Sequence, residues 1–173
     1  LGDVYKRQLL GGAAGTVASF GDEGLDVQAR LAAHLDMPAM QVPARSIMDH
    51  LVEHVMLLGL LAATCGKFGY EIYTGMKQEF GEVEEPISPG TVGSSTMPQK
   101  RNPHLSQDVM AYAAQIRTMV PLAMESVMTE HEANRQTSLM MRYAEREVCT
   151  LMGDTLERVR LLAEGLVLKP ERM

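Results

Sequence analysis

The longest regular pattern of apolar positions in the chain lies in residues 44–80, a stretch without proline. Its apolar residues recur mostly in alternating steps of four and three: Ile47, Leu51, Val55, Leu58, Ala62, Cys65, Gly69, Ile72 and Met76. Such steps are typical of a helix that packs lengthwise against other helices. At 1.5 Å per residue this helix would be about 50 Å long. Because so long a helix needs neighbours along its whole length, the pattern favours an elongated helix bundle.

Three further stretches also predict helices. A second long helix is predicted to begin at Asn102-Pro103, since asparagine is a good N-cap and proline at the first helical position loses no hydrogen bond. Within it, Pro121 predicts a kink or break. A third long helix covers residues 136–165, with Pro170 as a stop signal, and a short helix covers residues 24–35. No strand pattern of similar length occurs, so the expected fold class is all-α.

Composition narrows the class of protein. The chain has 173 residues, of which 46% are hydrophobic and 22% are charged, so it is expected to fold around one core rather than stay disordered. Its formal net charge of -6 argues against a nucleic-acid partner, because binding phosphates requires a basic surface. With no tryptophan and 5% aromatic residues, the chain is also poorly supplied for stacking on bases.

The two cysteines, Cys65 and Cys149, are far apart and have no metal-binding spacing. We therefore expect reduced thiols in a cytoplasmic protein, with neither a disulfide framework nor a structural metal. The most apolar run, residues 55–66, is shorter than the roughly 20 residues that cross a bilayer, so no membrane partner is expected.

The chain begins with Leu1 instead of methionine, and its first eight residues, LGDVYKRQ, do not fit the helical pattern. We interpret residues 1–8 as a non-native leader, and residues 9–173 as a helical-bundle domain that is a piece of a longer subunit. An isolated piece of this kind is expected to be nearly inactive.

A long loop, residues 81–101, separates the first two long helices and is rich in proline, glycine and serine. Loops of this length inside a domain are usually functional. Residues 93–103 (GSSTMPQKRNP) bring hydroxyls, two cations and an amide to a helix start, where free backbone N–H groups are expected. Two readings follow from the residues alone: a solvated loop, or a binding site for a carboxylate or phosphate. The preceding carboxylates Glu82, Glu84 and Glu85 are interpreted as a solvated start of the loop.

Residues 93–103 resemble the signature loop of the fumarase/aspartase superfamily, GSS-x-MP-x-K-x-NP, at every fixed position. The ending and the flanking residues resemble the branch that contains adenylosuccinate lyase and 3-carboxy-cis,cis-muconate cycloisomerase. This resemblance extends from residues 12–16 to residues 169–173. It implies the central helical domain of that fold, in which long helices of four subunits form a homotetramer.

The resemblance implies specific roles for loop residues. Ser94 would be the catalytic base, Lys100 and Asn102 would hold a substrate carboxylate, and Ser95 and Thr96 would donate hydrogen bonds to the intermediate. Arg45 lies near a segment that contributes substrate contacts. The expected substrate is a small di- or tricarboxylate, and neither a cofactor nor a metal is implied. The general acid would come from a part of the subunit that precedes this chain.

Two departures from the superfamily pattern affect the choice of activity. Gln107 stands where several members have a glutamate that orients a catalytic histidine, and the adjacent Asp108 would point about 100° away on a helix. The cycloisomerases also lack that glutamate, so Gln107 favours a cycloisomerase-like activity. Adenylosuccinate lyase and a non-catalytic helical scaffold remain the alternatives.

Other polar residues carry weaker expectations. In the segment Glu130-His131-Glu132, Ala133 replaces the arginine of the superfamily pattern, and Arg135 is a candidate to restore that charge. A helix-surface position for His131 is set against a catalytic one. His50 and His54 lie one helical turn apart and are interpreted as a solvated or interfacial pair rather than metal ligands.

Overall fold

Four α-helices contain most of the regular structure in the computed structural model, which describes residues 15–40, 47–86 and 101–172. They are α1 (Gly24–His34), α2 (Asp49–Gly75), α3 (His104–Glu125) and α4 (Arg135–Gly165). Short 3-10 helices at Ala18–Glu23 and Pro170–Arg172 and two short strands, β1 (Val83–Glu84) and β2 (Val167–Leu168), complete the described structure. The all-α prediction is therefore confirmed.

The predicted helices agree with the observed ones to within a few residues for α1, α3 and α4. The helix predicted over residues 44–80 is shorter in the structure, because α2 starts at Asp49 and its regular turns end at Gly75. Five residues of its predicted apolar stripe are buried: Val55, Ala62, Cys65, Gly69 and Ile72. The expected break at Pro121 is wrong, since α3 continues to Glu125. Ile116 and Ala123, on either side, are fully buried, and such packing outweighs one lost hydrogen bond.

The chain divides into two compact units. The first unit comprises the described residues up to Val55 together with Pro121–Glu145. It contains α1 and the turn between α3 and α4. In that turn Asn134 caps α4, because its Oδ1 accepts the backbone N–H of Thr137 at 2.8 Å. The Thr137 hydroxyl also lies 2.9 Å from the same oxygen, so one amide organises the start of the helix.

The second unit comprises the described residues of Met56–Val120 and Arg146–Met173. Its core contains Cys65, Ile72, Val109 and Leu162, with Phe68, Met76, Leu105, Val159 and other apolar side chains packed against it. Here α2 approaches α3 closely. A Cβ added at Gly69 would lie 3.0 Å from Val109 Cγ1 and 3.1 Å from the Ser106 carbonyl oxygen. Glycine at this position therefore sets the distance between the two helices.

Residues 82–86 follow the end of α2 and pack against the end of α4. β1 pairs antiparallel with β2, with Val83 opposite Leu168 and Glu84 opposite Val167. The Lys169 N–H donates to the Glu82 carbonyl at 2.8 Å, and the Lys169 ammonium group pairs with Glu84. The sequence gives no signal for this pairing, because a strand of two residues is too short to show an alternating pattern.

α2 is also long and apolar enough to cross a membrane by length and composition, with a mean hydropathy of 1.4 over its most apolar stretch. Only 28% of that stretch is buried within the chain. Residues 55–66 alone are too short to cross a bilayer, as expected, but the whole of α2 is long enough.

Two glycines of α4 predict opposite effects of the same substitution. A Cβ at Gly165 would lie 2.5 Å from Pro86 Cβ, whereas a Cβ at Gly153 would meet nothing within 4 Å. We expect Gly165→Ala to lower the free energy of unfolding by about 1–3 kcal/mol through overpacking. Gly153→Ala is expected to raise it by about 0.5–1 kcal/mol through helix propensity. Urea unfolding of both variants measures the difference, and equal midpoints would contradict the close packing of Pro86 on α4.

Candidate functional site

The structure describes the two ends of the predicted catalytic loop. Of the predicted site residues, Ser94, Ser95, Thr96, Lys100 and Arg45 lie outside the described residues, and their roles stay predictions. Asn102 is described and partly exposed, two residues before the first helical residue of α3. The described part of the site therefore consists of residues 82–86 before the loop and the start of α3 after it.

Glu85 joins these two ends. Its side chain is buried, with 7% of the residue exposed. The backbone N–H of Leu105 donates to Glu85 Oε2 at 3.0 Å, and that of Ser106 donates to Oε1 at 2.7 Å. The Ser106 hydroxyl donates to the same Oε1. A carboxylate from before the loop thus caps the helix that follows it, where negative charge is stabilised by the helix dipole.

The other two backbone N–H groups in the first turn of α3 are paired as well. That of His104 donates to the Asn102 carbonyl at 2.9 Å, and that of Gln107 donates to the Pro103 carbonyl at 3.1 Å. The expectation that this helix start offers free N–H groups to a ligand is therefore wrong. The interpretation of Glu85 as part of a solvated run is also wrong, because Glu85 is itself the anion at the helix start. The backbone N–H groups of this turn are therefore not available to hold a substrate carboxylate.

Neither Gln107 nor the adjacent Asp108 provides a carboxylate that could replace the superfamily glutamate. Gln107 is exposed. Asp108 Oδ2 accepts a hydrogen bond from Arg158 Nε at 3.0 Å, and the Arg158 guanidinium lies 4.8 Å from the centre of the Tyr112 ring. Burial lowers the pKa of Arg158, but the hydrogen bond to Asp108 and nearby charges raise it by more. Asp108 is thus held in a structural ion pair on α3 and α4.

The other polar candidates lie on the surface of the first unit. Glu130, His131 and Glu132 are exposed in the turn between α3 and α4, and Arg135 is the exposed first residue of α4. A catalytic role for His131 stays the alternative to a surface position, and the restored charge at Arg135 stays a prediction. His54 Nδ1 lies 4.0 Å from Glu145 Oε1. In residues 15–40, 47–86 and 101–172, no group of three or more His, Cys, Asp or Glu side chains is arranged to hold a metal ion.

The two cysteines are not joined in a disulfide, and they differ in environment. Cys65 is buried in the core of the second unit, where desolvation raises the pKa of its thiol. Cys149 is exposed. A buried thiol with a raised pKa has little thiolate at neutral pH, so Cys65 packs as an apolar residue rather than acting as a nucleophile.

A small cavity in the first unit was not predicted from the sequence. It lies between α1 and the residues that follow it and is lined by Gln28, Leu31, Ala32, Leu35, Met37, Pro38, Ala39 and Met40. Gln28 is buried, and its Nε2 has no hydrogen-bond partner in the described part of the chain. Because none of the lining side chains titrates near neutral pH, this cavity supplies no acid or base.

Breaking the Asp108–Arg158 ion pair is expected to lower stability without affecting catalysis. We expect Asp108→Asn to lower the free energy of unfolding by about 0.5–1 kcal/mol, because the pair is partly exposed and screened by water. Turnover by the full-length protein should stay within twofold of the parent. Asp154→Asn is the matched control, since Arg158 uses the backbone carbonyl of Asp154, which that change keeps. A tenfold loss of turnover in Asp108→Asn alone would assign Asp108 a role in catalysis.

Comparison with known proteins identifies relatives of the chain. A family model described as "Lyase" matches residues 2–118, a range that includes most of the segment interpreted as a leader. The chain is 39% identical over 167 residues to 3-carboxy-cis,cis-muconate cycloisomerase of Pseudomonas aeruginosa, covering 94% of the chain and 36% of the relative. It is 35% identical over 172 residues to N-acetyl-S-(2-succino)cysteine lyase of Enterococcus italicus, covering 98% and 38%.

A solved structure shares the fold. The crystal structure of 3-carboxy-cis,cis-muconate lactonizing enzyme from Pseudomonas putida superposes with a TM-score of 0.85 at 32% identity, covering 96% of this chain and 37% of that one. This match confirms the predicted fold. The chain spans 36–38% of the length of the two relatives above.

Proposed function

The chain belongs to the fumarase/aspartase superfamily of lyases, and on that premise we propose that it forms the central helical domain of a longer lyase or cycloisomerase subunit. The activity proposed is removal of a proton from the carbon beside a substrate carboxylate. The observation that carries the proposal is the complete signature at residues 93–103, which leads directly into α3. The substrate would be a small di- or tricarboxylate, and the activity would be most like that of 3-carboxy-cis,cis-muconate cycloisomerase.

Ser94 would act as the base. A serine hydroxyl is a weak acid, so its alkoxide has to be stabilised by positive charge and by hydrogen-bond donors. Lys100 and Asn102 would hold the substrate carboxylate, with Ser95, Thr96 and Arg45 as further contacts. When the proton moves to Ser94, that carboxylate gains a second negative charge. A cation already in place stabilises this charge more than it stabilises the substrate, and therefore lowers the barrier.

The second half of the reaction completes an elimination. The electron pair of the broken C–H bond forms a carbon–carbon double bond, and the bond to the leaving atom on the next carbon breaks with that atom keeping the pair. A general acid from outside this chain would protonate the leaving atom. In a cycloisomerase the leaving oxygen stays in the same molecule, so the elimination opens a ring and its reverse closes one.

The start of α3 supports a cycloisomerase-like activity over adenylosuccinate lyase. The superfamily glutamate is replaced by the exposed Gln107, and the adjacent carboxylate on α3, Asp108, is held by Arg158. Adenylosuccinate lyase therefore stays the second enzymatic candidate, and a scaffold without catalysis is the third.

We further propose that the subunits form a homotetramer in the cytoplasm. Large apolar side chains are exposed on α2, among them Met56, Leu60 and Tyr70, with Leu60 67% exposed. Helices of neighbouring subunits would cover this surface. That packing accounts for the high hydropathy of α2 in an acidic protein, and it needs no bilayer.

Ser94→Ala tests the base. In the full-length protein we expect the variant to lose turnover by a factor of about 100–10,000, the usual contribution of a positioned base, while its assembly is unchanged. Ser19→Ala, at an exposed serine far from the signature in sequence, is the control and should keep full activity. The substrates to try are 3-carboxy-cis,cis-muconate and its lactone, adenylosuccinate, argininosuccinate and N-acetyl-S-(2-succino)cysteine. Unchanged turnover in Ser94→Ala would refute the assignment.

Leu60→Asp tests the assembly. Placing a charge on the exposed face of α2 should reduce the mass measured by light scattering below that of a tetramer, because a desolvated unpaired carboxylate is costly in an interface. Leu60→Met keeps the apolar area and should leave the mass unchanged. If the parent protein instead sediments with lipid vesicles, and Leu60→Asp releases it, a bilayer rather than a second subunit covers this face.

A further inference from the structure

Glu85 is a buried carboxylate that the proposed mechanism does not use. It comes directly after β1 and lies 20 and 21 residues before its two partners, Leu105 and Ser106. Ionised carboxylates are rarely buried unless they are paired. Here the partners are two backbone N–H groups and one hydroxyl, with no cation among the hydrogen bonds described.

The geometry requires both oxygens of the carboxylate. Oε2 accepts from Leu105, whereas Oε1 accepts from the backbone and the hydroxyl of Ser106. A glutamine at this position would turn an NH₂ group toward at least one of these donors, which would leave that donor unpaired. Leaving a buried donor without a partner costs about 1–3 kcal/mol. Glutamine at position 85 therefore cannot replace all the hydrogen bonds of Glu85.

The hydrogen bonds of Glu85 fix the backbone on which Asn102 sits. Leu105 and Ser106 belong to the first turn of α3, and the remaining donors of that turn bind the carbonyls of Asn102 and Pro103. Rotating or unwinding this turn would move Asn102 relative to the rest of the second unit. Displacements of about 1 Å in a positioning residue are enough to reduce catalysis strongly.

We propose that Glu85 is a positioning residue: by capping α3 from before the loop, it holds Asn102 in the place where the substrate carboxylate binds. This inference rests on the proposed function. The cap also limits which groups can bind the substrate. Because Glu85 occupies the helix start, the carboxylate of the substrate binds to side chains and not to the backbone of α3.

The experiment compares Glu85→Gln with Glu84→Gln in the full-length protein. Glu84 is the matched control, since it is the adjacent carboxylate and pairs with Lys169 instead of α3. We expect Glu85→Gln to raise KM for the substrate about tenfold and to reduce the protection from hydrogen exchange of the peptide that contains Leu105 and Ser106. Glu84→Gln should change KM by less than twofold and leave that peptide protected.

KM separates positioning from a loss of folded protein. A variant that is only partly folded has fewer active sites and a lower apparent kcat, but its remaining sites keep the KM of the parent. An unchanged KM in Glu85→Gln, or an equal rise in Glu84→Gln, would overturn the inference, as would unchanged exchange at Leu105 and Ser106. Retained turnover in Ser94→Ala refutes only the base, because the KM comparison can still be made. Absence of turnover with every substrate tried overturns the proposed function, and the role of Glu85 in substrate binding with it.

Discussion

The first turn of an α-helix exposes backbone N–H groups that the helix itself cannot pair, and at α3 every one of these groups has a partner within the chain. Two of them bind Glu85, which stands before the loop that α3 follows. This pairing has two effects. It holds both ends of the loop together in the second unit, and it removes the helix start from the groups that can bind a ligand. The proposed chemistry therefore does not use the backbone N–H groups of this turn.

Close contacts within the second unit surround the hydrogen bonds between Glu85 and the start of α3. Gly69 allows α2 to approach Ser106 and Val109 on α3, and Gly165 allows Pro86 to lie against the end of α4. Lys169 pairs with Glu84 next to it. The residues before the loop are thus fixed by three helices, although they form only a two-residue strand. An active-site segment that joins rigid elements can be placed accurately without being regular itself.

The helices could be predicted from the sequence because their signals are local. The spacing of Leu51, Val55 and Ala62 indicates α2. The predicted end of the third long helix, residue 165, agrees with the observed end of α4 at Gly165. The predicted break at Pro121 is wrong, because burial of Ile116 and Ala123 on either side of it outweighs the local preference of proline. Glu85 could not be predicted as a cap, because its partners are 20 and 21 residues away and its neighbours Glu82 and Glu84 suggest a solvated run. The signature itself identified the superfamily, but its side chains lie outside the described residues.

The cap also has a thermodynamic consequence for the loop between its partners. Once Glu85 and the start of α3 are joined, the entropy lost on closing the intervening segment depends only weakly on its length. Each doubling of the number of residues adds only about 0.6 kcal/mol. Insertions, deletions and exchanges inside the loop can then accumulate without unwinding the helices that flank it. The part of the loop between Glu85 and the signature at residues 93–103 can therefore change in length and sequence while the scaffold keeps its stability.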